Sequence, residues 1–167
     1  MKNIQLVSFN FAADLRKEMM QLNLPDYLPA VRSEAGKNYI LDRLRKKYVA
    51  LTPEEWVRQH FVNYLITCKN YPQGRTGNEI SLTLNGMKKR CDTVVYGKTG
   101  NPVMIAEYKA PEIPVNQAVF DQISLYNLAM QVPYLVVSNG INHYCCQMNY
   151  ENKTYRFLED IPNYNEL

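Results

Sequence analysis

The sequence predicts an α/β sandwich around a central mixed sheet. Three observations predict it. Two segments carry helical apolar spacing, one on each side of a block of alternating strands. Gly/Asn turn signals separate those strands, which makes them a meander. A short, near-continuous apolar run follows the second helix, as a buried strand requires. The order is helix, three strands, helix, strand, then closing strands.

The first helix is "LTPEEWVRQHFVNYLITC". Thr52 is the N-cap, Pro53 suits the first helical position, and Glu55 falls where a capping box needs it. Val57, Phe61, Tyr64, Leu65 and Cys68 then recur at helical spacing. Pro72 and Gly74 should stop the helix. "EISLTL" (79–84) alternates and ends at the Asn85-Gly86 turn. "MKKRCDTVVY" (87–96) and "PVMIAEYKA" (102–110) flank a second turn. "VNQAVFDQISLYNLAMQ" (115–131) is a helix with Val119, Ile123, Tyr126 and Met130 on one stripe. "PYLVVSNG" (133–140) is the buried strand, and 142–150 and 154–160 close the sheet.

A length of 167 residues predicts one domain, 51–167, able to bury a core without disulfides. Residues 1–50 mix apolar and basic residues with no clean period, and are expected to form an N-terminal extension packed on that domain. The composition, 46% hydrophobic and 21% charged, fits a soluble globular chain. A net charge of +3 is compatible with nucleic acid but does not demonstrate it. Cys68, Cys91, Cys145 and Cys146 lack CxxC spacing and are expected to be reduced thiols in a cytoplasmic protein. The N-terminus has no signal-peptide pattern, and no stretch approaches the roughly 20 apolar residues of a membrane helix.

The hairpin "RCDTVVYGKTGNPVMIAEYKAP" sets charge in apolar strands: Asp92 in one, Glu107 and Lys109 in the other. Alternation puts Glu107 and Lys109 on one face, about 7 Å apart. A loop of Lys98-Thr99-Gly100-Asn101 would pair Tyr96 with Val103. Asp92 would then lie opposite Glu107, with β-carbons about 5 Å apart. A one-residue slip would separate them. Two adjacent carboxylates repel unless neutralised, and Mg²⁺ accepts one or two while keeping several waters. Lys109 beside them could orient a water or balance charge on a phosphate. The plainer alternative is a cross-strand ion pair of Lys109 with Asp92 or Glu107 on a solvated face.

Glu54 lies near the core-facing stripe of the first helix and is expected to point toward the sheet, whereas Glu55 caps. Glu54 could also simply complement the helix dipole. Gln122 and Tyr126 are i and i+4 on the second helix, hence neighbours. His60 and His143 show no metal-ligand spacing and are read as packing or surface residues.

Taken together, Glu54, Asp92, Glu107-Tyr108-Lys109 and Gln122-x-x-x-Tyr126 resemble the PD-(D/E)xK nuclease superfamily, its RecB-like branch in particular. "LTPEEWVRQ", "KRCDTVVYGKTGNPVMIAEYKAP", "QISLYN" and "PYLVVSNG" resemble the N-terminal nuclease domain of type I restriction enzyme R subunits, over about residues 36–148. The resemblance implies a restriction-endonuclease-like α-β-β-β-α-β sandwich and a Mg²⁺-dependent DNA endonuclease, with Mn²⁺ able to substitute. It implies Asp92 and Glu107 as metal ligands, with the main-chain carbonyl of Tyr108 as a third. Lys109 would position or activate the attacking water, Glu54 would help hold metal or order water, and Gln122 and Tyr126 would support the site or contact the DNA backbone.

Two features depart from the pattern. Cys91 stands where a proline is common, and there is no P-loop "GxxxxGK[ST]" for a motor. A stand-alone relative, or a nuclease piece working with other restriction-modification subunits, is therefore expected. Arg58, Lys88, Lys89 and Arg90 are the expected phosphate contacts near the site. Two rival readings remain: a non-catalytic DNA- or subunit-binding module with the same fold, and a repair or recombination nuclease.

Overall fold

The computed structural model describes residues 14, 15 and 17–167; the side chains of Leu84, Leu125, Tyr126, Leu128 and Ala129 lie outside the described set. Residues 1–13 and Arg16 of the expected N-terminal extension also lie outside it.

The extension contains structure that its sequence does not announce. Strands β1 (Val31–Glu34), β2 (Lys37–Asp42) and β3 (Lys47–Ala50) form an antiparallel three-stranded sheet. Each is short and largely half-exposed, so no clean period shows. Ala35 and Gly36, both at positive φ, make the β1–β2 turn.

Helix α1 (Pro53–Cys68) follows. Thr52 caps it as expected, its hydroxyl accepting from the Glu55 amide at 3.1 Å. The helix is buried around much of its circumference, from Glu55 through Asn63, and touches both β2 and β6 (Pro102–Tyr108). It is covered on two sides, which explains its weak amphipathicity.

The main sheet has the order β4-β5-β6-β7-β8-β9. Its further strands are β4 (Thr76–Leu84), β5 (Met87–Tyr96), β7 (Tyr134–Ser138), β8 (His143–Asn149) and β9 (Thr154–Leu158). Only β6 and β7 pair in parallel, because helix α2 (Gln117–Met130) carries the chain back between them. The sheet is therefore mixed, as predicted. One face packs Val95, Met104, Ala106 and Tyr108 against Val57, Phe61 and Leu65 of α1. The other packs Cys91, Val94 and Ile105 against Phe120, Ile123 and Met130 of α2.

The β5–β6 hairpin keeps the expected register over most of its length. Thr93 pairs with Ala106, Val94 with Ile105 and Val95 with Met104. At the turn it differs: a bulge between Val95 and Tyr96 pairs Tyr96 with Pro102 instead of Val103.

A buried polar chain joins the two sheets. Tyr108 donates its hydroxyl to Thr93 (3.1 Å), Thr93 to the Asn78 carbonyl (2.7 Å), and the Asn78 amide to Asp42 (3.0 Å). Asp42 also accepts from the amides of Leu44 and Arg45 and from the Arg45 guanidinium. Each buried polar group in the chain is thus hydrogen-bonded.

Candidate active site

The ladder between β5 and β6 ends at Thr93 and Ala106, although both strands continue. The next two residues along the same register are Asp92 and Glu107. Regular pleating fails at this point. Cys91 and Val94 both pack in the α2 core, although residues three apart should face opposite sides. On the partner strand β4, Glu79 takes φ +57 and drops out of the ladder between the Asn78–Thr93 and Ile80–Cys91 pairs. A glutamate at positive φ is strained, and such strain collects at functional sites. The distortion frees Asp92 from the strand pleat. Its carboxylate takes the Tyr108 amide at 2.8 Å, where a ladder carbonyl would otherwise sit.

The other Asp92 oxygen meets Arg58 at 3.0 Å. Arg58 also holds Glu79 at 2.6 Å and Glu55 at 3.2 Å. The Arg58 side chain is only 4% exposed. Arg58, expected as a phosphate contact because it follows Glu54 near the site, is therefore not at the surface. With α1 covered on both sides, it lies inside the protein. Its positive charge is locked among three carboxylates, which keep the guanidinium protonated above its already high value despite burial. Glu55 likewise is not a capping side chain. Its carboxylate joins Arg58, accepts from Gln59 and lies near Arg45.

Glu107 pairs with Lys89, Nζ to Oε1 at 2.6 Å. Burial pushes its carboxyl up, the neighbouring Asp92 charge pushes it further, and Lys89 and Lys109 pull it partly back. The result is about 7. Asp92 and Glu107 are thus close enough to feel each other's charge. Glu54, at the start of α1, is also raised, first by burial and then by Asp92, with Lys109 opposing. Four predicted residues, Glu54, Asp92, Glu107 and Lys109, therefore share one electrostatic neighbourhood at the parted end of β5 and β6.

Lys109 is tethered through its amide to the Ser138 carbonyl at 2.9 Å. The cross-strand ion pair considered for it forms with other cations: Lys89 takes Glu107 and Arg58 takes Asp92. Lys88 is exposed, and so is Arg90, which reaches Glu79 at 2.8 Å. Gln122 lies exposed on α2. The Tyr126 side chain lies outside the described residues. His60 packs with Trp56 and Tyr27, and His143 with Phe61.

Among the described residues no group of three or more His, Cys, Asp or Glu side chains is placed to hold a metal. That disfavours a closed zinc-type site. Two mutually repelling carboxylates, all oxygen donors, suit a hard cation that keeps most of its water.

A family model for the type I restriction enzyme R protein N terminus (HSDR_N) matches residues 53–162. The chain belongs to this family. Among solved structures, it resembles a fragment assigned as an HsdR subunit of a type I restriction enzyme from Vibrio vulnificus, at 18% identity and a TM-score of 0.51. The alignment covers 70% of this chain and 24% of that one, and at this identity it speaks to fold. No curated protein matches the chain. The family match includes both helices, the main sheet and all of Glu54, Asp92, Glu107 and Lys109; β1–β3 precede it.

Arg58, Glu79 and the Lys89 ion pair are the members of this HSDR_N site that sequence reading missed or misplaced. Glu79 carries no local signal, since positive φ at a strand glutamate follows from the distorted ladder. Lys89, expected to contact phosphate, instead holds Glu107, because no local signal in its basic run marks that cross-strand partner.

Proposed function

We propose that this domain hydrolyses DNA phosphodiesters with a divalent cation, Mg²⁺ or Mn²⁺, held by Asp92, Glu107 and the main-chain carbonyl of Tyr108. The observation that carries the reading is the charge coupling of Asp92 and Glu107 where β5 and β6 part. A bound cation would supply Lewis acidity at the phosphate and lower the pKa of a water. The chain's own residues do the rest. Lys109 orients the attacking water and balances charge building on the phosphate. Glu54 orders water at the helix start. Arg58 acts through Asp92, holding its carboxylate in position. Lys88 and Arg90 contact phosphates from the surface, while Gln122 and Tyr126 support the site or the DNA backbone.

DNA and other restriction-modification subunits are the proposed partners. The chain spans about a quarter of the HsdR fragment it resembles. Four free cysteines fit a reducing cytoplasm, and among the described residues no helix is long and apolar enough to cross a membrane.

The test is plasmid cleavage with Mg²⁺ or Mn²⁺, with and without partner subunits. Wild type should nick or linearise DNA, and Asp92→Ala should reduce the rate by a factor on the order of 10² or more. Equal cleavage by both would end the proposal. One observation favours a second reading, a non-catalytic DNA- or subunit-binding module: both carboxylates already hold internal cations. DNA binding without metal-dependent cleavage in any assembly would select it.

A further inference from the structure

The two cations that neutralise the carboxylate pair differ in kind. Arg58 is held by Glu55, Glu79 and Asp92 at once, and its rigid planar fork matches that cage. Lys89 is a point charge on a flexible four-carbon stem. It stands on β5 three residues before Asp92, beyond the last β5–β6 pair, and reaches Glu107 across the gap. The pair is well shielded, with Lys89 20% and Glu107 14% exposed. Exposed Lys88 and Arg90 flank it on the chain.

We propose that Lys89 is an exchangeable counter-ion. It neutralises Glu107 while the site is free of metal, yields that carboxylate to a divalent cation, and then turns its ammonium to a DNA phosphate. The inference rests on the nuclease reading above. The electrostatics favour exchange. Asp92 and Glu107 place two negative charges side by side, and Lys89 brings one positive charge to Glu107. A divalent cation shared by both carboxylates brings two. Once it is there, the ammonium faces a like charge and must move, and a phosphate brought to the same cation offers it a partner. Arg58 cannot make this exchange without also releasing Glu55 and Glu79. The device would hold the Glu107 carboxylate aimed before metal arrives, and tie Lys89's contribution to DNA binding to metal loading.

The experiment measures Mn²⁺ affinity of the full chain by paramagnetic resonance titration near pH 8.5. It compares wild type, Lys89→Met, Lys89→Gln, Lys89→Arg and Asp92→Ala. Met and Gln keep much of the stem without the charge, and circular dichroism confirms folding, so either one suffices if the other misfolds. With the competitor gone, Lys89→Met or Lys89→Gln should bind Mn²⁺ about tenfold tighter than wild type. Lys89→Arg should bind like wild type. A second readout is the salt dependence of duplex DNA binding with and without Ca²⁺. Loss of the Lys89 charge should lower the slope by about one phosphate contact in Ca²⁺ and leave it unchanged without metal. Unchanged or weaker Mn²⁺ binding in the neutral variants overturns the exchange, as does an equal change of slope with and without Ca²⁺. If wild type and Asp92→Ala bind Mn²⁺ equally, the metal site itself fails. If Asp92→Ala loses binding while the neutral Lys89 variants bind no tighter than wild type, that site stands and only the role of Lys89 falls.

Discussion

Buried Asp42 and half-buried Glu107 are carboxylates near strand ends, and their surroundings push them in opposite directions. Burial raises both. At Asp42 the Arg45 amide, the Arg45 guanidinium and Asn78 outweigh burial, and its carboxyl falls below the ordinary range. At Glu107 the Asp92 charge adds to burial, and its carboxyl rises to about 7. Asp42 is surrounded by donors and joins two sheets. Glu107 is hydrogen-bonded by Lys89, feels Lys109, and faces a neighbour of its own sign. A carboxylate that the fold satisfies completely is architecture. One that the fold leaves in conflict is prepared for a cation from outside.

This contrast orders the expected effects. The largest is at Asp42. Asp42→Ala strands Asn78, Arg45 and two backbone amides, and should cost about 3–5 kcal/mol in urea unfolding at pH 7. A loss under about 1 kcal/mol would erase the distinction between the two carboxylates. Next is the pH dependence of Glu107. Its folded pKa lies above the unfolded value of 4.5, so the folded state holds the proton more tightly. That stabilisation is complete below about pH 4.5 and is lost as pH rises through about 7, with a magnitude on the order of 3 kcal/mol. Glu107→Gln should flatten the stability profile in this window and be at least as stable as wild type at pH 8. An unchanged profile would contradict the conflict assigned to Glu107. A smaller effect is expected at Thr93, the middle link of the polar chain. Thr93→Val removes its bonds to Asn78 and Tyr108 and should cost about 1–3 kcal/mol, read by the same unfolding. The smallest concerns Arg90, which is 72% exposed and shares Glu79 with buried Arg58. Arg90→Ala should change stability by no more than about 0.5 kcal/mol. A larger loss would mean that the exposed arm, and not Arg58, holds Glu79.

The same contrast explains what the sequence makes legible. Both helices and the main-sheet strands follow from apolar periodicity and turn residues, which are local signals. The D…ExK spacing brings Asp92, Glu107 and Lys109 forward because charge in an apolar strand is conspicuous. Strands β1–β3 stay hidden because they are short and half-exposed, and the charged Arg32, Glu34, Lys37 and Lys47 lie within them. Arg58 is misjudged because a basic residue beside the site reads as a phosphate contact, while α1 is covered by two sheets. The Glu55 side chain is drawn from its cap for the same reason. The bulge at Tyr96 and the strained Glu79 depend on how three strands fit together, and no short window of sequence contains that.

The central claim is that Asp92 and Glu107 hold a divalent cation between them. A crystal soaked in Mn²⁺ tests it most directly, through the anomalous signal of the ion. The account predicts a peak within coordination distance of both carboxylates, with Lys89 moved off Glu107. Full Mn²⁺ occupancy elsewhere, with Lys89 still on Glu107 and no peak between the carboxylates, would contradict it.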